Sequence, residues 1–522
     1  MFDSFETPGL SSCPATSTMP RFERRSTRRV TFIIPPMILP RSSGRNAQVP
    51  LGAAYLAAAL ERQGFEVSIL DAICEGFERV RPERGGRYSY GLEVGEIISR
   101  VLKDSPDVVG VSCTSSLQYG YARSIAEGFR RQGPAPLLAI GGAHASALPE
   151  EVVGKGPFDL AVIGEAEETF PEALKLIEQG DLDDLRAIPG LCFEGIEGLV
   201  RTRGVGVVEN LDSLPLPARH LLPMDRYAQL EAWHDATVKN RPATQLITSR
   251  GCPAKCSFCS VHNTMGGRYR GRSVDSVIAE LMELRDRWGI REVQFEDDNL
   301  TLDRRRSRKL FQAMTDAKLG LTWSTPNGIA MWTLEPDMID IMALAGCHKL
   351  NFAIESGVQR VLDEVIRKPL RLENVPALLD RARKNGITVH TFFVVGFPGE
   401  TRAEMVKTFS FARKLGGDSA NFFIATPYPG TPLYEECLEK GLLAKDFSFE
   451  GLDVTEGVIE HPEISAAELT AWVAREDAAM RLRRMLRPTN LHRAVRRILR
   501  DPRRLTGYAG SLVRRTVAGF RR

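Results

Sequence analysis

The sequence predicts an α/β protein: a doubly wound parallel sheet, then a partial (β/α)6 barrel, then a helical basic tail. Three observations carry that prediction. Short apolar runs alternate with helical stretches in two separate series. A proline-rich stretch, LPLPARHLLP, lies between the series. Three closely spaced cysteines follow the first strand of the second series.

The first series runs over 29–185. VTFII (30–34) reads as a strand, and 51–63 as a helix with Leu51, Ala54, Tyr55 and Ala58 on one face. VSILDA (67–72), VVGVSC (108–113), LLAIGG (137–142) and LAVIGE (160–165) follow as strands, with a helix near 93–103. Continuous apolar runs suit strands buried on both faces, the condition of a parallel sheet covered by helices. Ligands of such sheets bind beyond the carboxyl ends of the strands. That rule selects Ser112, Thr114, Gly141, Gly142, His144 and Glu165. The small residues among them would let a flat ligand approach the backbone. Gly141 and Gly142 also read as a plain turn, and Glu165 as a helix cap.

Residues 186–240 read as an irregular connector. The second series, 241–460, predicts strands at TQLITSR (244–250), EVQFEDD (292–298), LTWST (321–325), KLNFAIES (349–356), TVHTFFVVG (388–396) and NFFIATP (421–427), with helices such as 274–288 and 403–415 between them. Six consecutive β/α units suggest a barrel, whose chemistry sits just after each strand.

Composition bounds the rest. At 522 residues the chain suits two or three domains. Its 43% apolar and 26% charged content excludes a disordered, collagenous or coiled-coil protein. A net charge of +3 does not call for a nucleic-acid partner. Residues 481–522 hold fourteen Arg and one acid, Asp501, for a local +13, which leaves −10 for the remainder. LHRAVRRILRDPRRL, within the expected tail 461–522, reads as a basic amphipathic helix suited to a membrane surface, an acidic partner or the acidic body itself. No stretch reaches the roughly 18 apolar residues of a membrane span. Residues 1–28 read as a flexible leader without a signal-peptide core. Nine cysteines without a disulfide pattern suit the cytoplasm.

The most specific signal is SRGCPAKCSFCSVHN. Cys252, Cys256 and Cys259 offer three thiolates from one loop, enough for three irons of a [4Fe–4S] cube with the fourth iron open. With His262 as a fourth ligand the same loop would read as zinc, although structural zinc usually draws on two separated knuckles.

C-x3-C-x-F-C after a strand, with FEDDN (295–299), AIESG (353–357), VVGFPGE (394–400) and TPYPGTPLY (426–434), resembles the radical S-adenosylmethionine (radical SAM) superfamily over about 243–440. The resemblance implies that the open iron chelates S-adenosylmethionine (SAM) and that one electron cleaves it homolytically. It places Phe258 and Gly396 near the adenine, with Gly399 beside them, Asp297 and Asp298 on the ammonium or hydroxyls, and Glu355 and Ser356 on the ribose or amino group. Pro429, Gly430 and Thr431 read as a structural turn. The segments beginning VPLGAAYLAAAL, PDVVGVSC, AIGGAHA and LAVIGEAEETF resemble a Rossmann-like cobalamin-binding domain. The D-x-H-x-x-G pattern that supplies a cobalt-ligating histidine is missing: at His144, Gly142 stands in the Asp position and Ala147 in the Gly position. Either the cobalt has no histidine ligand or the domain binds something else.

Together the two halves resemble the cobalamin-dependent radical SAM methyltransferases; QLITSRGC, FEDDN and FAIESGVQRVL with its following KPL resemble the branch that acts on phosphonates. That implies methylation of an unactivated carbon of a small molecule (a secondary metabolite, phosphonate or lipid), with flavodoxin or ferredoxin as electron donor. Cys347, His348 and His390 are candidates for a base, each better read as a core residue. The rival outcomes are an oxidase or cyclase acting on a tetrapyrrole, a sulfur-inserting tRNA modifier, and a non-enzymatic zinc-binding interaction protein. The tRNA modifier is disfavoured because Cys13, Cys74 and Cys113 are too scattered to hold a second cluster.

Overall fold

The computed structural model describes residues 24–40, 43–195, 197–235, 237–445 and 447–485. Most of the expected leader and the Arg-rich segment LHRAVRRILRDPRRL lie outside the described residues.

The first sheet has seven strands. Five are parallel, in the order Glu66–Asp71, Arg29–Ile34, Val108–Ser112, Leu137–Gly141 and Leu160–Val162. Consecutive residues alternate between two apolar cores: Val108 and Leu137 feed one, Val109 and Leu138 the other. This is the period-2 projection of a strand covered on both faces. The connector is not wholly irregular, which corrects the sequence reading. Leu191–Gly195 and Gly198–Arg201 form a hairpin that extends the sheet antiparallel to Leu160–Val162. The hairpin's second strand is largely exposed, so it lacks the apolar run by which the other strands were read.

The second sheet has six strands, all parallel and in chain order: Ala243–Leu246, Glu292–Phe295, Thr322–Ile329, Cys347–Glu355, Thr388–Val395 and Ser419–Ile424. Helices such as Val274–Asp286, Arg304–Asp316 and Arg402–Leu415 return the chain between strands. Arg402–Leu415 starts on a complete capping box, Thr401 with Glu404, and closes on Gly416 in the left-handed conformation. The last helix, Ala466–Met485, lies along the outermost strand, where Asp477 Oδ1 accepts from the Phe422 amide at 3.0 Å. Among the described residues no helix is long and apolar enough to cross a membrane.

Buried charge joins the two halves. Glu280 pairs with Arg219 at 2.7 Å and with Arg272, and Arg272 reaches Tyr55 Oη of the first half at 3.2 Å. Arg250 and Arg270 of the second half both reach Glu165, which follows a strand of the first.

Candidate functional site

The carboxyl end of the first sheet and the segments flanking the cysteine loop meet at one cavity of about 300 Å³. From the first sheet, Ser112, Thr114, Gly141, Gly142 and Glu165 line it, together with Tyr55 and Phe170. From the second half come Ile247, Arg250, Thr264 and Met265, which flank the cysteine loop on both sides. Most of the lining is apolar, as a flat organic ligand requires. A Cβ at Gly52 would meet nothing within 4 Å, and one at Gly141 only Val162 O at 3.8 Å. Both glycines therefore leave open a volume that any side chain would fill. Gly142 is required differently: its φ is +101°, and a Cβ would strike Cys113 O at 2.5 Å.

His144 is not brought to this cavity. Its ring is buried, stacks on Tyr119 at 4.2 Å and faces Ser116 Oγ through Nδ1 at 3.0 Å. Burial pushes its pKa down to about 4. Glu165 does line the cavity, but both its oxygens are engaged by Arg270, at 2.6 and 2.9 Å. Arg250 bridges Glu165 (3.0 Å) and Glu167 (2.7 Å), and its guanidinium lies 5.2 Å from the centre of the Tyr55 ring.

The cysteine loop follows Ser249–Arg250 and ends on the short helix Val261–Thr264. Cys252, Cys256 and Cys259 are free thiols of intermediate exposure. Burial pushes Cys256 up to about 12 and Cys259 to about 11, so a positive group is needed before either becomes a thiolate. Among the described residues no three such side chains converge closely enough to share one ion. A cube does not ask that of them, because each thiolate binds its own iron. His262, the fourth ligand of the zinc alternative, has its Nε2 on the Cys252 carbonyl at 2.8 Å.

The remaining sequence candidates divide. Asp298 accepts from the Gly251 amide at 2.9 Å, and burial raises its pKa to about 6. Asp297 is spent inside the protein, on the Thr248 hydroxyl (2.7 Å) and the Ser249 hydroxyl (2.5 Å). Glu355 holds Lys368 Nζ at 2.8 Å and has φ +69°, a strained value for a residue with a side chain. Ser356 turns away, to Thr408 Oγ1 at 3.2 Å. Phe258 packs against Phe397, ring centres 5.8 Å apart. Gly396 has φ +88°, and a Cβ there would strike Leu469 at 2.3 Å, so both its backbone conformation and its packing call for glycine.

Two residues escaped the sequence reading. Lys368 is fully buried; burial lowers its pKa, but Glu355, Cys256 and Cys259 outweigh that and hold it above its ordinary value. Its one sequence signal is its place in KPL, thirteen residues beyond Glu355. Asn299 closes FEDDN and points Nδ2 at Cys252 Sγ. The candidate bases are satisfied in place: His348 by Glu292 at 2.8 Å, His390 by Ser419 Oγ, and the Cys347 thiol by Lys349 O at 3.7 Å.

Comparison with known proteins resolves what the geometry suggests. The chain matches a family model described as the radical SAM superfamily over residues 246–412, and one described as a B12 binding domain over 43–174. It is 34% identical to cytidylyl-2-hydroxyethylphosphonate methyltransferase of Streptomyces wedmorensis, across 88% of this chain and 91% of that protein. The chain belongs to the radical SAM superfamily, with a B12-binding domain. This radical SAM protein is also 34% identical to an uncharacterised methyltransferase of Pyrococcus horikoshii, over 76% of the chain and 79% of that relative. Its fold is shared with the radical SAM methyltransferase TsrM of Kitasatospora setae (TM-score 0.63, 21% identity, 79% of this chain and 76% of that one). It is shared also with the cobalamin-dependent SAM radical enzyme OxsB (TM-score 0.68, 15% identity, 94% and 72%). Its cofactors are accordingly a [4Fe–4S] cluster, SAM and cobalamin.

Proposed function

We propose that this radical SAM protein methylates an unactivated carbon of a small molecule, with a phosphonate carried on a nucleotide as the leading substrate class. One observation carries the reading: a single cavity is lined from one side by the B12-binding strand ends and from the other by the flanks of the cysteine loop. Bound together, the cofactors supply homolytic cleavage of SAM and a transferable methyl group. The rest falls to the chain. Cys252, Cys256 and Cys259 hold the cluster. Lys368 places a buried positive charge beside two of the thiols, where it offsets their negative charge. Asp298 and Glu355 supply carboxylates for the cationic end of SAM. Ser112, Thr114, Gly141 and Gly142 shape the corrin side. The substrate class is supported by the 34% identity that extends over 91% of the Streptomyces enzyme. A small ferredoxin or flavodoxin is the expected electron donor.

The test is anaerobic reconstitution with iron, sulfide and cobalamin, then incubation with cytidylyl-2-hydroxyethylphosphonate, methyl-deuterated SAM and a reductant. Mass spectrometry should find the deuterated methyl in the product and 5′-deoxyadenosine beside it. Deoxyadenosine without any methylated product would overturn the methyltransferase reading for this substrate. Absence of both would overturn the radical assignment.

A further inference from the structure

Each cysteine of the loop has its own partner of positive character. Cys259 receives the Val261 amide, and Cys256 feels the positive charge of buried Lys368. Cys252 has Asn299, whose Nδ2 lies 3.8 Å from Sγ. Asn299 is 2% exposed, and its Oδ1 is buried without a hydrogen-bond partner. Nothing in the loop's own fold explains this amide, whose carbonyl gains nothing from its position. A thiolate is an acceptor only, so a cluster held by Cys252 would favour this orientation, in which the NH2 group faces sulfur. Hydrogen bonds to cluster sulfurs favour the reduced, more negative state and so raise the reduction potential.

We propose that Asn299 is a positioning residue that holds the Cys252 thiolate through an N–H···S bond and thereby raises the reduction potential of the cluster. The inference rests on the cluster reading above. Asn299 differs from the other two partners in being both neutral and a side chain, so substitution removes the bond without deleting a charge.

The experiment compares anaerobically reconstituted wild type, Asn299→Leu and Asn299→Asp, all full-length and without SAM. Iron and sulfide are counted per chain, and the midpoint potential is read from an EPR-monitored reductive titration. Asn299→Leu should keep a full complement of iron and sulfide. Its reduction equilibrium should shift about tenfold toward the oxidised state, which is about 59 mV for one electron. Asn299→Asp keeps the shape, places an anion on the sulfur and should shift the equilibrium further the same way. Full loading of both variants with an unchanged potential overturns the proposal. Failure of both to load also overturns it, because the residue would then serve assembly. A wild type that never acquires a cluster instead sinks the family reading on which the inference stands.

Discussion

Gly141 matters through an absent side chain. Because its Cβ would enter the shared cavity with only one atom near it, enlargement should cost the ligand far more than the fold. Gly141→Val should lower cobalamin affinity at least tenfold, read from corrin absorbance after reconstitution and desalting, with an unchanged circular dichroism spectrum. His144 makes the opposite kind of prediction, about stability. Its pKa is about 4 when folded, against an ordinary 6.5, so the unfolded chain binds the extra proton first. Its neutral form therefore supports the fold fully above pH 6.5, and that support is lost as pH falls toward 4. Between pH 6.5 and 5 the loss should be up to about 2 kcal/mol. The fall in Tm over that interval should be visibly smaller in His144→Gln than in wild type.

At the scale of elements, much of the architecture could be read before any coordinates. Both strand–helix series correspond to sheets whose apolar runs are buried, because strands covered on both faces need little else in their sequence. The hairpin Leu191–Gly195 and Gly198–Arg201 could not be read, since half of it faces solvent and carries no pattern. The cysteine loop was legible because its chemistry is concentrated within eight residues. Lys368 was not, because its partnership with Glu355 is created by an irregular helix that ends on Arg367 at φ +61°. Ser356 parts from Glu355 for a related reason: side chains on either side of a strand end point to opposite faces, and this one faces Thr408. The separation of the two sheets is itself testable. Cys256→Ala should hold no complete cluster and release no 5′-deoxyadenosine, yet still bind cobalamin through the intact first sheet. Iron analysis and corrin absorbance on the same sample decide it.

At the scale of the whole molecule, the halves are locked by ion pairs withdrawn from water. Glu280 is fully buried between Arg219 and Arg272. Removing one member of such a set leaves uncompensated charge, at a cost of about 3–5 kcal/mol. Glu280→Ala should therefore lower the unfolding free energy by that amount, read from chemical denaturation, and calorimetry should resolve the two halves unfolding separately. The closing helix, Ala466–Met485, has a consequence of another kind. It occupies the rim of the second sheet, with Asp477 on a Phe422 amide that would otherwise be available to a neighbour. A chain ended ahead of Ala466 would bare the Ser419–Phe422 part of that strand as a template for strand addition, since the Ile424 amide stays on Val454 O at 2.7 Å. Such a truncation should self-associate into particles visible by light scattering, so this helix acts as a guard against aggregation.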